Sequence, residues 1–267
     1  MGFEGPPGAS GQTAAHRSAW PRVSIVLATN RTGMLENCRR NILSQDYPNL
    51  EVIIVLNDDA CDAAQVREMF AAAPHVAVVR LTQERNLGSC INFGTGHASG
   101  AYVTKMDDDD FYGPAYVSDL LLSALESRAD ITGKKATFFH FEEGDEYCLR
   151  SPDLRHTWLW PVTDRSGCAT VPSTFSPHGS NVAGATILVR RELLLRFPFD
   201  ERAPRGTDSL FQLVCRRAGL TIYASDEFNF CYRRRAGNRD HLWQVEKETI
   251  LKSAHLLPAF DRSQVCA

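Results

Sequence analysis

Four aspartates in a row, Asp107 to Asp110, end the strand-like stretch 101-AYVTKM-106. Adjacent carboxylates repel one another, and burying one without a partner is costly. On an extended backbone alternate side chains share a face, so Asp107 and Asp109 can point into one site. Two hard oxygen ligands in that relation suit Mg2+ or Mn2+ shared with substrate phosphates. The competing reading is a solvated acidic turn in which Asp109 or Asp110 caps the next helix.

Other residues that could do chemistry are scattered along the chain. Asp59 closes the cluster Asn57-Asp58-Asp59. Its carboxylate can accept the imide N–H of uracil or thymine, or sit in a loop before a helix near Asp62. Arg85 precedes Asn86-Leu87-Gly88 and can pair with phosphate, stack on a base or lie on the surface. Asp208 follows Gly206-Thr207, where a carboxylate can cap a helix and can also take a proton from an incoming hydroxyl. The late run 233-RRRAGNRDHLW-243 holds Arg233, Arg234, Arg235, Arg239 and His241. The arginines suit a diphosphate, and a neutral imidazole suits a metal or a purely structural role. Trp158, Trp160 and Phe175 can stack on a sugar or pack in a core.

A scaffold must gather these residues. VSIVLAT from Val23, EVIIVLNDD, HVAVVRLT and AYVTKM read as four strands, apolar enough to be parallel and covered on both faces. Between them, RTGMLENCRRNILSQDY sets Met34, Leu35, Cys38, Ile42 and Leu43 at helical spacing, with Asn30 or Thr32 as N-cap. DAAQVREMFAAA and SCINFGTGHAS, the latter ended by Gly100, read as two more helices. The alternation predicts an α/β fold with a mostly parallel central sheet flanked by helices. Ligands of such sheets bind beyond the carboxyl ends of the strands. Three of the four strands end there in polar clusters: Thr29-Asn30-Arg31, Asn57 to Asp59, and Asp107 to Asp110.

Downstream, YVSDLLLSALES reads as a helix, KKATFFHFEEGDEYCL as a strand or hairpin, and NVAGATILVRRELLLRF as a strand running into a helix. GTDSLFQLVCRRAG reads as a helix stopped by Gly219, and TIYASDEFNFCYRRR as one strand. The aromatic segment over about 150–185 has no regular period and would shape an acceptor site.

Composition narrows the class. With 267 residues the chain is predicted to form one domain over 22–267, divided into halves at about 22–114 and 115–267, after a disordered leader over 1–21. A net charge of −3 provides no field for nucleic acid. No apolar run has the length to span a bilayer, and the leader lacks a secretory pattern. The eight cysteines form no CxxC pair and read as free thiols of a reducing cytoplasm. No GxGxxG follows the first strand, which excludes an NAD-dependent dehydrogenase.

In order, the pieces resemble the family-2 glycosyltransferases of the GT-A fold. VSIVLATNR is similar to that family's opening strand and nucleotide loop, and LSQDYPNLEVIIVLNDD to its second strand. RNLGSCINFGTGHASGAYVTKMDDDD is similar to the run that ends in its D-x-D motif. FPFDERAPRGTDSLF and NRDHLW match more loosely, with Thr207 where the family carries an acid. The resemblance implies that Ala28, Thr29, Asn30 and Arg31 line a nucleotide pocket, that Asp59 holds the base, and that Arg85 contacts the nucleotide. It makes Asp109 and His241 the metal ligands, sets Asp107 or Asp108 near the ribose, and makes Asp208 the catalytic base. The implied activity is metal-dependent, inverting transfer from a UDP- or dTDP-sugar to a hydroxyl of a glycan, lipid-linked or small-molecule acceptor. The enzyme would work in the cytoplasm, free or peripheral to a membrane. A sugar-nucleotidyltransferase and an inactive nucleotide- or glycan-binding module are the alternatives.

Overall fold

A computed structural model describes residues 20–160, 162–163, 169–170, 180–235 and 245–266. Four parallel strands lie first: β1 (Val23–Thr29), β2 (Leu50–Leu56), β3 (Val76–Arg80) and β4 (Tyr102–Met106), in the order β3-β2-β1-β4. Along β1 the side chains alternate, as a strand requires. Val23, Ile25 and Leu27 join the helices Leu35–Leu43, Ala63–Met69 and Tyr116–Ser127 in one core. Val26 faces the opposite core with the helices Leu87–His97, Arg191–Arg196 and Thr207–Arg217. The sheet is therefore a middle layer with helices on both faces.

The sheet continues past β4 with a change of direction. Leu188–Arg190 pairs antiparallel with β4 and with Ile131–Gly133, and Ile222–Ala224 runs parallel to Ile131–Gly133. Thr157–Trp160 closes that edge. A second, five-stranded sheet orders Ala254–Leu256, Glu146–Arg150, Thr137–Phe141, Phe230–Arg234 and Phe111–Tyr112. Residues 137–150 form the expected hairpin. Among the described residues, no helix is long and apolar enough to cross a membrane.

Several expectations change. The first helix has Met34 at its N-cap, after a 3-10 turn over Thr32–Met34, and no side chain caps it. Neither Asn30 nor Thr32 is needed, because the 3-10 turn brings the chain in. The helix after the aspartates starts only at Tyr116, with Ala115 at its N-cap, so neither Asp109 nor Asp110 caps it. Asp208 lies in the first turn of its helix; the N-cap is Gly206, whose φ of 67° favours glycine. TIYASDEFNFCYRRR is two strands in two sheets, parted by a turn with Asn229 at φ 60°. Among the described residues, six cysteines are buried free thiols and Cys266 is an exposed one. Cys168, Phe175, Arg239, His241 and the leader up to residue 19 lie outside the described residues.

The helix Leu87–His97 approaches the sheet closely at Gly94, where an added Cβ would lie 2.5 Å from Val26 Cγ1 and 3.1 Å from Val55 Cγ2. Gly94→Ala is expected to destabilise the fold by roughly 1–3 kcal/mol despite alanine's better helix propensity. Adding Val26→Ala should recover part of that loss, and urea unfolding of both variants checks it.

Candidate active site

The aspartates form the corner where the chain leaves the large sheet at Met106 and enters the small one at Phe111. That corner is nearly dry: Asp108, Asp109 and Asp110 are 4%, 7% and 3% exposed. Its backbone is held by the helix Leu35–Leu43, whose Asn37 and Asn41 stand one turn apart. Asn37 Nδ2 donates to the carbonyls of Asp108 and Asp110, and Asn41 Nδ2 donates to that of Asp110, each at 2.9 Å. The Asp107 backbone N–H donates to the Tyr112 hydroxyl at 2.7 Å.

Two cations divide the carboxylates. Arg31 grips Asp108 through Nη2 and through Nε at 3.1 Å, and reaches Asp109 Oδ2 at 3.0 Å. Thr29 Oγ1 adds a bond to Asp108 at 2.5 Å. Burial opposes the Arg31 charge, but Asp108 and then Asp109 outweigh it and hold the guanidinium above its ordinary pKa. Lys105, at the end of β4, lies 3.2 Å from Asp107 and 2.9 and 3.0 Å from the two oxygens of Asp208. Burial opposes this charge too, and Asp107 and Asp208 override it, so the ammonium is held above the usual lysine value.

These cations do not match all the acid present. Burial raises Asp107 to about 6; Lys105 offsets part of the rise, while Asp208 and Asp109 add to it. Asp107 keeps 31% of its side chain accessible, so solvent moderates the shift. Burial, then the charges of Asp109 and Asp107, push Asp110 well above the carboxylate range, although it accepts the Arg233 backbone N–H at 3.2 Å. Among the described residues, no three His, Cys, Asp or Glu side chains form a ready metal cage.

Thr29, Arg31, Asp107, Asp108, Asp109 and Asp208 thus meet at one rim, with half-buried Ala28 and exposed Asn30 on the same loop. Asp59 is exposed at the end of the neighbouring strand β2, and its carbonyl accepts a bond from Arg80 Nη2 at 2.9 Å. Arg85 lies 3.9 Å from Glu201, in a groove of about 260 Å3 lined by Leu81, Ser89, Asn92 and Phe93. Arg233 bonds Glu142 Oε1 and Asn37 Oδ1 at 3.0 Å each, so its side chain ties the small sheet to the helix Leu35–Leu43. Sequence reasoning missed Lys105, Asn37 and Asn41. Two signals were available: a lysine in an otherwise apolar strand, and two asparagines at i, i+4 on a buried helix face.

The rim extends past β4, because Ile131–Gly133 and Ile222–Ala224 run in the same direction. Lys134, fully buried, pairs with Asp226 at 2.8 Å. Lys135 donates to the Asn181 carbonyl at 3.0 Å. Burial, then Arg150 and Arg216, lower Lys135 from 10.5 to about 8. The native state thus releases this proton more readily than the unfolded chain does, and between those values the unfolded chain binds more protons. This group therefore adds stability as pH rises through that window. Lys135→Gln should flatten the rise, a difference that urea unfolding of both proteins at pH 8, 9 and 10 measures.

Residues 24–172, more than half of the chain, match the sequence profile described as Glycosyl transferase family 2. Glycosyltransferase GlyA of Streptococcus pneumoniae is 32% identical over 124 residues, 46% of this chain and 18% of that protein. Glycosyltransferase GlyG of the same organism is 22% identical over 81% of this chain and 72% of its own length. S. aureus TarS 1–349, solved with UDP-GlcNAc, superposes with a TM-score of 0.62 at 20% identity, over 84% of this chain and 61% of that one. The mannosyltransferase PcManGT from Pyrobaculum calidifontis, solved with GDP-Man and Mn2+, gives 0.57 at 19% identity, over 84% and 59%. The chain spans about three fifths of each solved relative and a smaller share of GlyA. The two solved structures share the GT-A fold described above. The match over residues 24–172 places the chain in glycosyl transferase family 2, a family of sugar-transferring enzymes.

Proposed function

We propose that the protein transfers a sugar, with inversion, from a UDP- or dTDP-sugar to a hydroxyl of a glycan, lipid-linked or small-molecule acceptor. The observation that supports this best is the joint hold of Lys105 on Asp208 and Asp107. It sets a candidate base beside the aspartate run, at the rim where α/β sheets bind ligands. Residues 22–114 would bind the donor and 115–267 would supply the base and the acceptor surface. The free thiols fit a reducing compartment.

In this reading Thr29, Asn30, Arg31 and Ala28 border the nucleotide, and Asp59 selects a base that carries an imide N–H. Asp107 or Asp108 lies toward the ribose. Asp208 takes the proton of the acceptor hydroxyl as its oxygen bonds to the anomeric carbon and the bond from that carbon to the diphosphate breaks. A carboxylate-rich rim whose cations leave Asp107 and Asp110 raised has the hard-oxygen chemistry that Mg2+ or Mn2+ takes. Asp109, with His241 from beyond the described residues, would hold that ion. When bound, such an ion would supply positive charge against that of the departing diphosphate.

UDP release from UDP-glucose, UDP-galactose and UDP-N-acetylglucosamine, with and without Mn2+, tests the reading. No release from these, nor from their dTDP counterparts, would refute it. Asp208→Asn should lower turnover by about 10²–10⁴-fold while UDP still binds. Asp109→Ala should instead weaken UDP binding in Mn2+ and leave metal-free binding little changed, as titration calorimetry can measure.

A further inference from the structure

We propose that Lys105 and Gly184 form a seat for the Asp208 carboxylate, which makes Lys105 a positioning residue for sugar transfer. This rests on reading Asp208 as the base. A lysine 3% exposed at the end of a central strand is costly to bury unless it is fully paired. Lys105 Nζ has three protons and meets three carboxylate oxygens, two on Asp208 and one on Asp107. One ammonium thus ties the base, from the helix Thr207–Arg217, to the donor side of the rim. It also offsets the repulsion between two carboxylates that must stay close.

Gly184 supplies the other wall. A Cβ there would lie 2.3 Å from Asp208 Oδ2, 2.6 Å from Cγ and 2.7 Å from Cβ. Among the described residues, the glycines with positive φ are Gly206 and Gly219. Gly184 is therefore required for the room it leaves and not for its backbone. The flanking chain is fixed to the same helix, since Gln212 accepts the Val182 N–H at 2.9 Å and donates to the Val182 carbonyl at 3.1 Å. The floor under the carboxylate cannot drift from the helix that carries it. Of the four acceptor positions on the two oxygens, Lys105 takes two, which leaves the others for an acceptor hydroxyl.

The test uses the full chain, with UDP release from the same three UDP-sugars in Mn2+ and water as acceptor. Lys105→Met removes the charge and keeps the length; Gly184→Ala displaces the carboxylate without changing any charge. Each is expected to lower kcat by roughly 10²-fold, the scale for misplacing a reacting group by about 1 Å. UDP affinity in Gly184→Ala should stay at the wild-type value. Lys105→Arg should recover part of the rate lost in Lys105→Met. In an Asp208→Asn background, Lys105→Met should cost little more, because its effect runs through Asp208. Wild-type kcat in a folded Gly184→Ala protein would overturn the seat, as would an undiminished Lys105→Met loss in the Asp208→Asn background. Wild-type turnover in Asp208→Asn alone would overturn the base reading instead, so the two failures are distinct. Should Lys105→Met fail to fold, Gly184→Ala alone decides.

Discussion

Four consecutive carboxylates in a nearly dry corner between two sheets are the constraint to which the rest of this structure answers. In water they would repel and spread apart; here the backbone is pinned by Asn37 and Asn41, and Tyr112 holds the first amide. Arg31, on the loop after β1, and Lys105, facing the helix Thr207–Arg217, then divide the charge between them. Remove either cation and the corner would hold unpaired charge at low dielectric, a cost of the kind that breaking a buried ion pair incurs. The position of Arg31 on the loop after β1, and of Lys105 at the end of β4, follows from this electrostatic demand.

Beside β4 the large sheet reverses direction, and the reversal serves the same corner. The antiparallel strand Leu188–Arg190 leads in from the 3-10 turn Gly184–Thr186, and sets that turn under the end of β4. Ala185 there accepts bonds from Tyr112 at 3.0 Å and Tyr116 at 3.4 Å, which locks the turn to the aspartate corner. Asp208, Lys105 and the aspartates are therefore joined through contacts made by neighbouring segments of backbone.

The first four strands were legible because parallel strands covered on both faces read as unbroken apolar runs, and their polar ends marked the rim. Asp107, Asp109 and Asp208 stood out as acids at strand ends or before a helix. Lys105 did not, because its partner Asp208 lies 103 positions away and no local period encodes that pairing. The division of 221–235 between two sheets falls at the polar run Ser225-Asp226-Glu227, which a one-strand reading passes over, and the left-handed Asn229, bonded to Asp119 at 2.7 Å, completes the turn. Asp59 and Arg85 had the right residue types, yet Arg80 and Glu201 are the neighbours that set their surroundings.

The inserted strand Leu188–Arg190 also bears on how the molecule is made. A ribosome releases the aspartates long before it releases residues 184–190, 208 and 230–233, all of which must pack against them. Contacts so distant in sequence form late, since the intervening loop must first be closed. A partly synthesised chain thus carries the first four strands and the aspartate run before the helix Thr207–Arg217 exists. Until that helix is made, Lys105 lacks two of the three carboxylate oxygens it meets in the folded protein, and the corner stays short of its full complement of partners.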